Sequence, residues 1–219
     1  MKIIKYNDLL LPKNHEIIRN IIGNNGVIIY PTDTLYGLGG NFFSLAAMET
    51  IDTIKNRKDM PYSAAISGTK MLEKLVDNIP AVFYDLYEKL LPGKFTLLFK
   101  ASKSLNKTLL KNSDKIGIRI PNIPKILKLI EFLNTPLIST SVNRSWEPPL
   151  NDPGAIVREF SGSGARFSVP LQINAGILGK SKGSTILDIT RTPIKCIRKG
   201  DGFFKLEELD IEVEDILHL

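Results

Sequence analysis

The residues of this chain able to do chemistry are hydroxyls, amides and cations, gathered into short clusters at the ends of apolar runs. The first, Tyr30-Pro31-Thr32-Asp33-Thr34-Leu35-Tyr36-Gly37-Leu38-Gly39, carries two hydroxyls, a carboxylate and a phenol into an expected glycine-rich turn. Strand ends of α/β sheets open into crevices where ligands bind. The same residue types are ordinary turn formers, so both readings stand. The second cluster, Lys55-Asn56-Arg57-Lys58, places three cations in four residues at an expected helix end. Arg offers a bidentate fork and Lys a point charge to a phosphate, while cations at that end also complement the helix dipole. At an exposed helix end, substituting Lys55 or Arg57 should cost the fold no more than ~1 kcal/mol.

Three further clusters follow. In Gly117-Ile118-Arg119-Ile120-Pro121, alternation sends Ile116, Ile118 and Ile120 to one face and Arg119 to the other. An Arg in an apolar strand requires an anion, which a bound ligand or a buried ion pair would supply. In Leu137-Ile138-Ser139-Thr140-Ser141-Val142-Asn143-Arg144-Ser145 an apolar strand runs into hydroxyls and an amide, which can hold phosphate or carboxylate oxygens or simply cap a loop. Gly183-Ser184-Thr185 and Arg198-Lys199-Gly200 flank the last two expected strands. Together the five describe an anion site built without histidine.

The inventory excludes other chemistry. The histidines, His15 and His218, lie near the ends of the sequence and outside every cluster, which argues against a histidine-based hydrolase and a His/Cys zinc site. Gly176-Ile177-Leu178-Gly179-Lys180-Ser181 has only the end of a phosphate-binding Walker loop, because Asn174 stands at the first glycine position. No dinucleotide fingerprint follows the first strand, and no metal site is expected.

These clusters need elements to position them. Helices are expected over 13–24, from Leu45 to about Arg57 with Ser44 as cap, over 81–90 and over 124–132. Strands are expected at 27–30, 63–66, 95–100, 116–120, 137–140, 171–174, 185–189 and 194–198, with a short acidic helix after Phe204. The stretch up to Pro153 and Ser161-Gly162-Ser163-Gly164 read as loops. Strands interleave with helices early and cluster late. That order predicts an α/β fold, a single domain with a twisted open mixed sheet and flanking helices.

The chain has 219 residues, 43% of them hydrophobic, which suits one domain that buries a full core. No apolar run reaches the ~20 residues of a membrane span, and one cysteine, Cys196, fits a reducing, cytoplasmic setting. Residues 1–206 carry 29 bases against 17 acids, a net +12, whereas residues 207–219 hold six acids and no Lys or Arg. The expected division is a basic domain over 1–206 and an acidic tail over 207–219. A basic body attracts nucleotides, RNA or anionic surfaces, although such charge also solubilises.

In this order the clusters resemble the YrdC-like family of threonylcarbamoyl-AMP synthases. The matching segments are Pro31 to Leu38, Lys55-x-Arg57, Pro92-Gly93-x-x-Thr96, Gly117 to Pro121, Ser139-Thr140-Ser141-x-Asn143, Ser184-Thr185 and Arg198-x-Gly200. The resemblance implies a twisted open α/β fold and synthesis of L-threonylcarbamoyl-AMP from L-threonine, bicarbonate or CO2, and ATP carried with Mg2+. Pyrophosphate is released, and the product serves modification of adenosine 37 in tRNA. It further implies contact with tRNA or double-stranded RNA and with tRNA-modifying transferase proteins. By position it assigns threonine contacts to Thr34, Arg119, Ser139 and Ser184. ATP contacts fall to Lys55, Arg57, Ser141, Asn143 and Arg198, with Lys55, Arg57, Ser141 and Asn143 as the catalytic set. The sequence departs from the family pattern at Met60-Pro61-Tyr62, at Ala65 where many members have a threonine-contacting His, at Lys94, at Val142 and at Trp146, where Gly is usual. The alternative is a non-catalytic or differently specific paralogue acting as an RNA-binding or ribosome-associated module.

Overall fold

The computed structural model describes residues 1–57, 59–161 and 168–215. In chain order its elements are β1 (Lys2–Lys5), α1 (Pro12–Gly23), β2 (Ile28–Pro31), β3 (Tyr36–Gly39), α2 (Leu45–Lys55), β4 (Ser63–Ala65), α3 (Thr69–Leu72), α4 (Val82–Leu90) and β5 (Phe95–Lys100). There follow β6 (Lys115–Arg119), α5 (Pro124–Leu133), β7 (Leu137–Ser141), α6 (Pro153–Ser161), β8 (Leu171–Asn174), β9 (Thr185–Asp188), β10 (Lys195–Arg198), α7 (Phe203–Glu208) and β11 (Glu214–Asp215).

Among the described residues the strands form one eleven-stranded sheet in the order β1-β8-β2-β3-β7-β4-β6-β5-β9-β10-β11. Parallel pairs (β1 with β8, β2 with β8, β4 with β6, β5 with β9, β10 with β11) mix with antiparallel ones (β2 with β3, β3 with β7, β4 with β7, β5 with β6, β9 with β10). This is the open mixed α/β sheet the sequence predicts. Helices cover it with apolar faces: Ile18 and Ile22 of α1, Met48, Ile51 and Ile54 of α2, Phe83, Leu86 and Leu90 of α4, and Ile126, Leu129 and Ile130 of α5 are buried. The cap expected for α2 is present, the Ser44 hydroxyl accepting from the Ala47 N–H at 3.0 Å. The helix stops where Asn56 turns left-handed at φ 51°. No helix of the described residues is long and apolar enough to cross a membrane.

Two expectations change, and one strand is added to those expected. Tyr36–Gly39 is the strand β3, not a turn. Its glycines hide its strand character, yet they admit the Tyr30 ring, whose Cε1 would lie 2.5 Å from a Cβ at residue 39. Lys2–Lys5 forms an outer strand that its charged composition conceals. Pro153–Ser161 is a helix with buried Ile156 and Phe160, so Ser161 closes a helix, and the rest of the loop expected at 161–164 lies outside the described residues. At the other end, residue 207 falls inside α7, and β11 continues the sheet beside β10.

Candidate functional site

The site forms where neighbouring strands stop keeping pace. β4 pairs with Leu137, Ile138 and Ser139 of β7, while Thr140 and Ser141 run on beside Leu38 and Gly37 of β3. The backbone parts there, and a cleft of about 540 Å³ opens. Thr34, Lys55, Arg57, Arg119, Ser139, Ser141, Asn143, Ser184 and Arg198, scattered over 165 residues of sequence, all line it. Lys182 adds a fifth cation, and no carboxylate lines the cleft among the described residues.

Lys55 departs from the expected exposed helix end. It is 2% exposed, and its ammonium donates to Asn143 Oδ1 at 2.6 Å and to the Ser141 carbonyl at 3.0 Å. The physical reason is helical spacing: Lys55 continues the buried stripe of Met48, Ile51 and Asp52, so it faces the sheet, where Ser141 and Asn143 accept from it. Ser141 Oγ also donates to Asn143 Oδ1 at 2.6 Å, and the Ser145 N–H donates to the Lys55 carbonyl at 2.9 Å. Lys55, Ser141 and Asn143 are therefore one hydrogen-bonded unit. The guanidinium of Arg57 lies 5.1 Å from the centre of the Tyr62 ring, and the Tyr62 hydroxyl donates to Asp52 Oδ1 at 2.8 Å. Lys111 pairs with the other oxygen of Asp52. Burial and the Asp52 carboxylate raise the Tyr62 pKa, keeping it a donor. Lys58 lies outside the described residues.

Arg119 has the buried ion pair that its strand required. Its Nη2 donates to Asp33 Oδ1 at 2.5 Å, to Thr34 Oγ1 at 2.6 Å and to Thr32 Oγ1 at 3.2 Å. The second Asp33 oxygen accepts from the Asn122 N–H at 3.1 Å. Arg119 Nε is buried without a partner, as are Arg57 Nε and Ser145 Oγ. Three buried donors without partners on the wall of one cleft are an uncommon cost, removed when an anion accepts from them. On the far wall, Ser184 Oγ and Thr96 Oγ1 share a hydrogen bond at 2.7 Å, and Arg198 donates through Nε and Nη2 to the Ser184 carbonyl at 3.0 and 2.8 Å. Desolvation first, then the charge of Arg119, lowers the Arg198 pKa, so the two guanidiniums feel one another's field.

Gly200 lets the last turn close on Ser184. A Cβ there would sit 2.4 Å from the Gly183 carbonyl oxygen and from the Ser184 carbonyl carbon, both backbone. Gly200→Ala is therefore expected to cost ~1–3 kcal/mol and to displace Ser184. Urea unfolding checks the first part, and unchanged stability would show that the turn relaxes freely.

Burial first and Arg57 second hold the Lys55 pKa at about 8, down from 10.5. Between those values the unfolded chain binds more protons than the folded one, so this group's contribution to stability rises with pH. An anion in the cleft pushes Lys55 the other way and draws in a proton. Affinity for tripolyphosphate is thus expected to fall as pH rises through about 8, and Lys55→Met should remove that slope. A titration series that stays flat across this range would mean that the anion does not meet Lys55.

Several residues here escaped the sequence reading as site members. Asp33 and Thr32 lay in the first cluster but looked like turn formers, and Thr96 was only part of a matching segment. Asp52 and Tyr62 carried no local signal, since ten residues separate a helical carboxylate from a phenol in a loop. Ala65, fully buried in β4, is not among the cleft-lining residues. Trp146 does line the cleft, 95% exposed and at φ 73°, a left-handed conformation that is an outlier for a bulky residue.

The fold is an open mixed α/β sheet that parts over a cleft lined, among the described residues, by five cations and no carboxylate, a lining suited to anions. The chain belongs to the Sua5/YciO/YrdC family, whose model, described as "Telomere recombination", matches residues 20–200. It is 28% identical over 201 residues to the threonylcarbamoyl-AMP synthase of Pyrococcus abyssi, covering 91% of this chain and 57% of that one. It thus spans little more than half of that relative's length. It is 31% identical over 191 residues to the uncharacterized protein YciO of Escherichia coli, covering 84% of this chain and 88% of that one. Among solved structures, P. abyssi Sua5 complexed with L-threonine superposes with a TM-score of 0.86 at 25% identity, covering 98% of this chain and 62% of that one.

Proposed function

We propose that this chain is an L-threonylcarbamoyladenylate synthase, a nucleotidyltransferase that joins L-threonine, bicarbonate or CO2, and ATP into L-threonylcarbamoyl-AMP. The observation that carries the reading is the cationic cleft with its three buried donors lacking partners. Such a lining suits a substrate set that brings a triphosphate and a carboxylate together. The likeness to a synthase and to a threonine-bound structure supports the same choice.

Threonine's amine and CO2 give a carbamate, already an anionic nucleophile. One carbamate oxygen attacks the α-phosphorus of ATP, the bond to the β-phosphate oxygen breaks, and pyrophosphate leaves with both bonding electrons. No side-chain nucleophile is required, so the protein's task is to position two anions and offset their charge. Lys55, Arg57, Ser141, Asn143 and Arg198 take the triphosphate, and Mg2+ arrives with ATP as part of the substrate. Thr34, Ser139, Ser184 and Arg119 take threonine, with Arg119 Nε, unpartnered beside the Asp33 pair, available to the carboxylate. The product serves adenosine 37 of tRNA in the cytoplasm, through tRNA and transferase partners drawn by the basic body.

The test is product analysis. Pyrophosphate release should require both threonine and bicarbonate, and serine should react more slowly, since a pocket fitted to the β-methyl loses ~1–3 kcal/mol without it. Release indifferent to threonine would favour the second reading, a differently specific or RNA-binding paralogue, for which the likeness to YciO speaks.

A further inference from the structure

An exposed tryptophan held at a strained backbone angle beside a cation cluster invites explanation. Trp146 is the chain's single tryptophan, 95% exposed at φ 73°. Its neighbours on both sides are tied to the buried cation unit. The preceding residue donates from the Ser145 N–H to the Lys55 carbonyl at 2.9 Å, and the following one accepts at the Glu147 carbonyl from Asn143 Nδ2 at 2.5 Å. The Glu147 N–H closes the turn on the Arg144 carbonyl at 3.1 Å. The indole is thus carried on a pinned turn, between one residue bonded to the Lys55 backbone and one bonded to Asn143.

The cleft lining also includes Met60, Pro61 and Pro149, so apolar surface accompanies the cations. A flat apolar ring system joined to a chain of phosphates presents the complementary chemistry. We propose that Trp146 is a binding residue for the nucleotide base: its indole stacks on the purine of ATP while the Lys55 unit takes the phosphates. This rests on the reading of the cleft as a nucleotide site and deepens it, because it names the group that distinguishes a nucleotide from a bare polyphosphate. A solvent-exposed indole already has its face available, and stacking of a base on an aromatic side chain needs no specific hydrogen bonds.

The single tryptophan supplies the readout. Titrating the protein with ATP, AMP, tripolyphosphate and a short single-stranded oligoadenylate, and following tryptophan emission, should show quenching with ATP and AMP but not with tripolyphosphate. Calorimetry should then show the Trp146→Ala variant binding ATP ~5- to 150-fold more weakly, binding tripolyphosphate as the wild type does, and recovering most of its ATP affinity as Trp146→Phe. Equal ATP affinity in wild type and Trp146→Ala would overturn the stacking while leaving the phosphate site standing. Quenching by the oligoadenylate with none by ATP would overturn it in favour of an RNA contact. Binding of neither ATP nor tripolyphosphate would bring down the nucleotide reading of the cleft itself, and the proposal with it.

Discussion

Replacing Lys55 by Met is expected to cut turnover by about 10²–10³-fold while leaving the melting temperature near or above that of the wild type. The loss follows from removing a pre-placed cation where phosphate charge must be offset. The stability result follows from the direction of the pKa shift: lowered to about 8 from 10.5, Lys55 is held less well as a charged ammonium in the fold than in water, hydrogen bonds included, so its charge opposes folding at neutral pH. Asn143 Oδ1 keeps the Ser141 hydroxyl as a partner when the ammonium goes, so it is not stranded. Met preserves the stem and removes the charge. Thermal melts and a pyrophosphate assay on one preparation decide the matter. A variant that melts many degrees lower would make Lys55 a structural residue, and one that turns over normally would remove it from the site.

Arg119 carries the second large effect, and here two substitutions must be compared. Arg119→Ala strands the buried Asp33 carboxylate and is expected to cost ~3–5 kcal/mol of stability, which urea unfolding reads. Arg119→Lys leaves a cation for Asp33 but loses the planar fork, so it should melt close to the wild type. Its threonine affinity should nevertheless fall ~10- to 150-fold, the equivalent of one charge-assisted contact. Normal threonine binding in a folded Arg119→Lys variant would assign the guanidinium to the Asp33 pair alone. The ion pair is real in the structure, so the question is whether the remaining nitrogens serve a ligand as well.

The frame of this fold was written in hydrophobic periodicity. Four helices and the interior strands at 95–100, 116–120 and 137–140 stand within a residue or two of where their apolar patterns place them. The misses share a cause: the signal lay in tertiary partners. Gly37 and Gly39 look like turn residues until the Tyr30 ring is seen to fill their space. Lys2–Lys5 is too short and too flanked by charge to stand out, and its two isoleucines become a strand because Leu171–Asn174 offers them an edge. Likewise the cation pair at 55 and 57 was legible as an anion clamp, but not the burial of Lys55, which depends on Asn143 arriving 88 positions later. Asp33 was visible as a residue and invisible as a partner, since nothing local joins it to Arg119.

The pairing of β1 with β8 also bears on how the chain reaches this state during synthesis. Lys2 and Leu171 are paired neighbours, yet 169 residues separate them, and at ~5–20 residues per second their appearance differs by roughly 10–30 s. For that time the apolar stretch Val27-Ile28-Ile29-Tyr30, which later has β8 on one side and β3 on the other, has one flank without its strand. Exposed unpaired strands of this composition are where nascent chains associate wrongly. The cleft shares this order, because its Ser184 wall adjoins β9, which pairs with β5 made 90 residues earlier, so the site closes only after the last third of the chain has appeared.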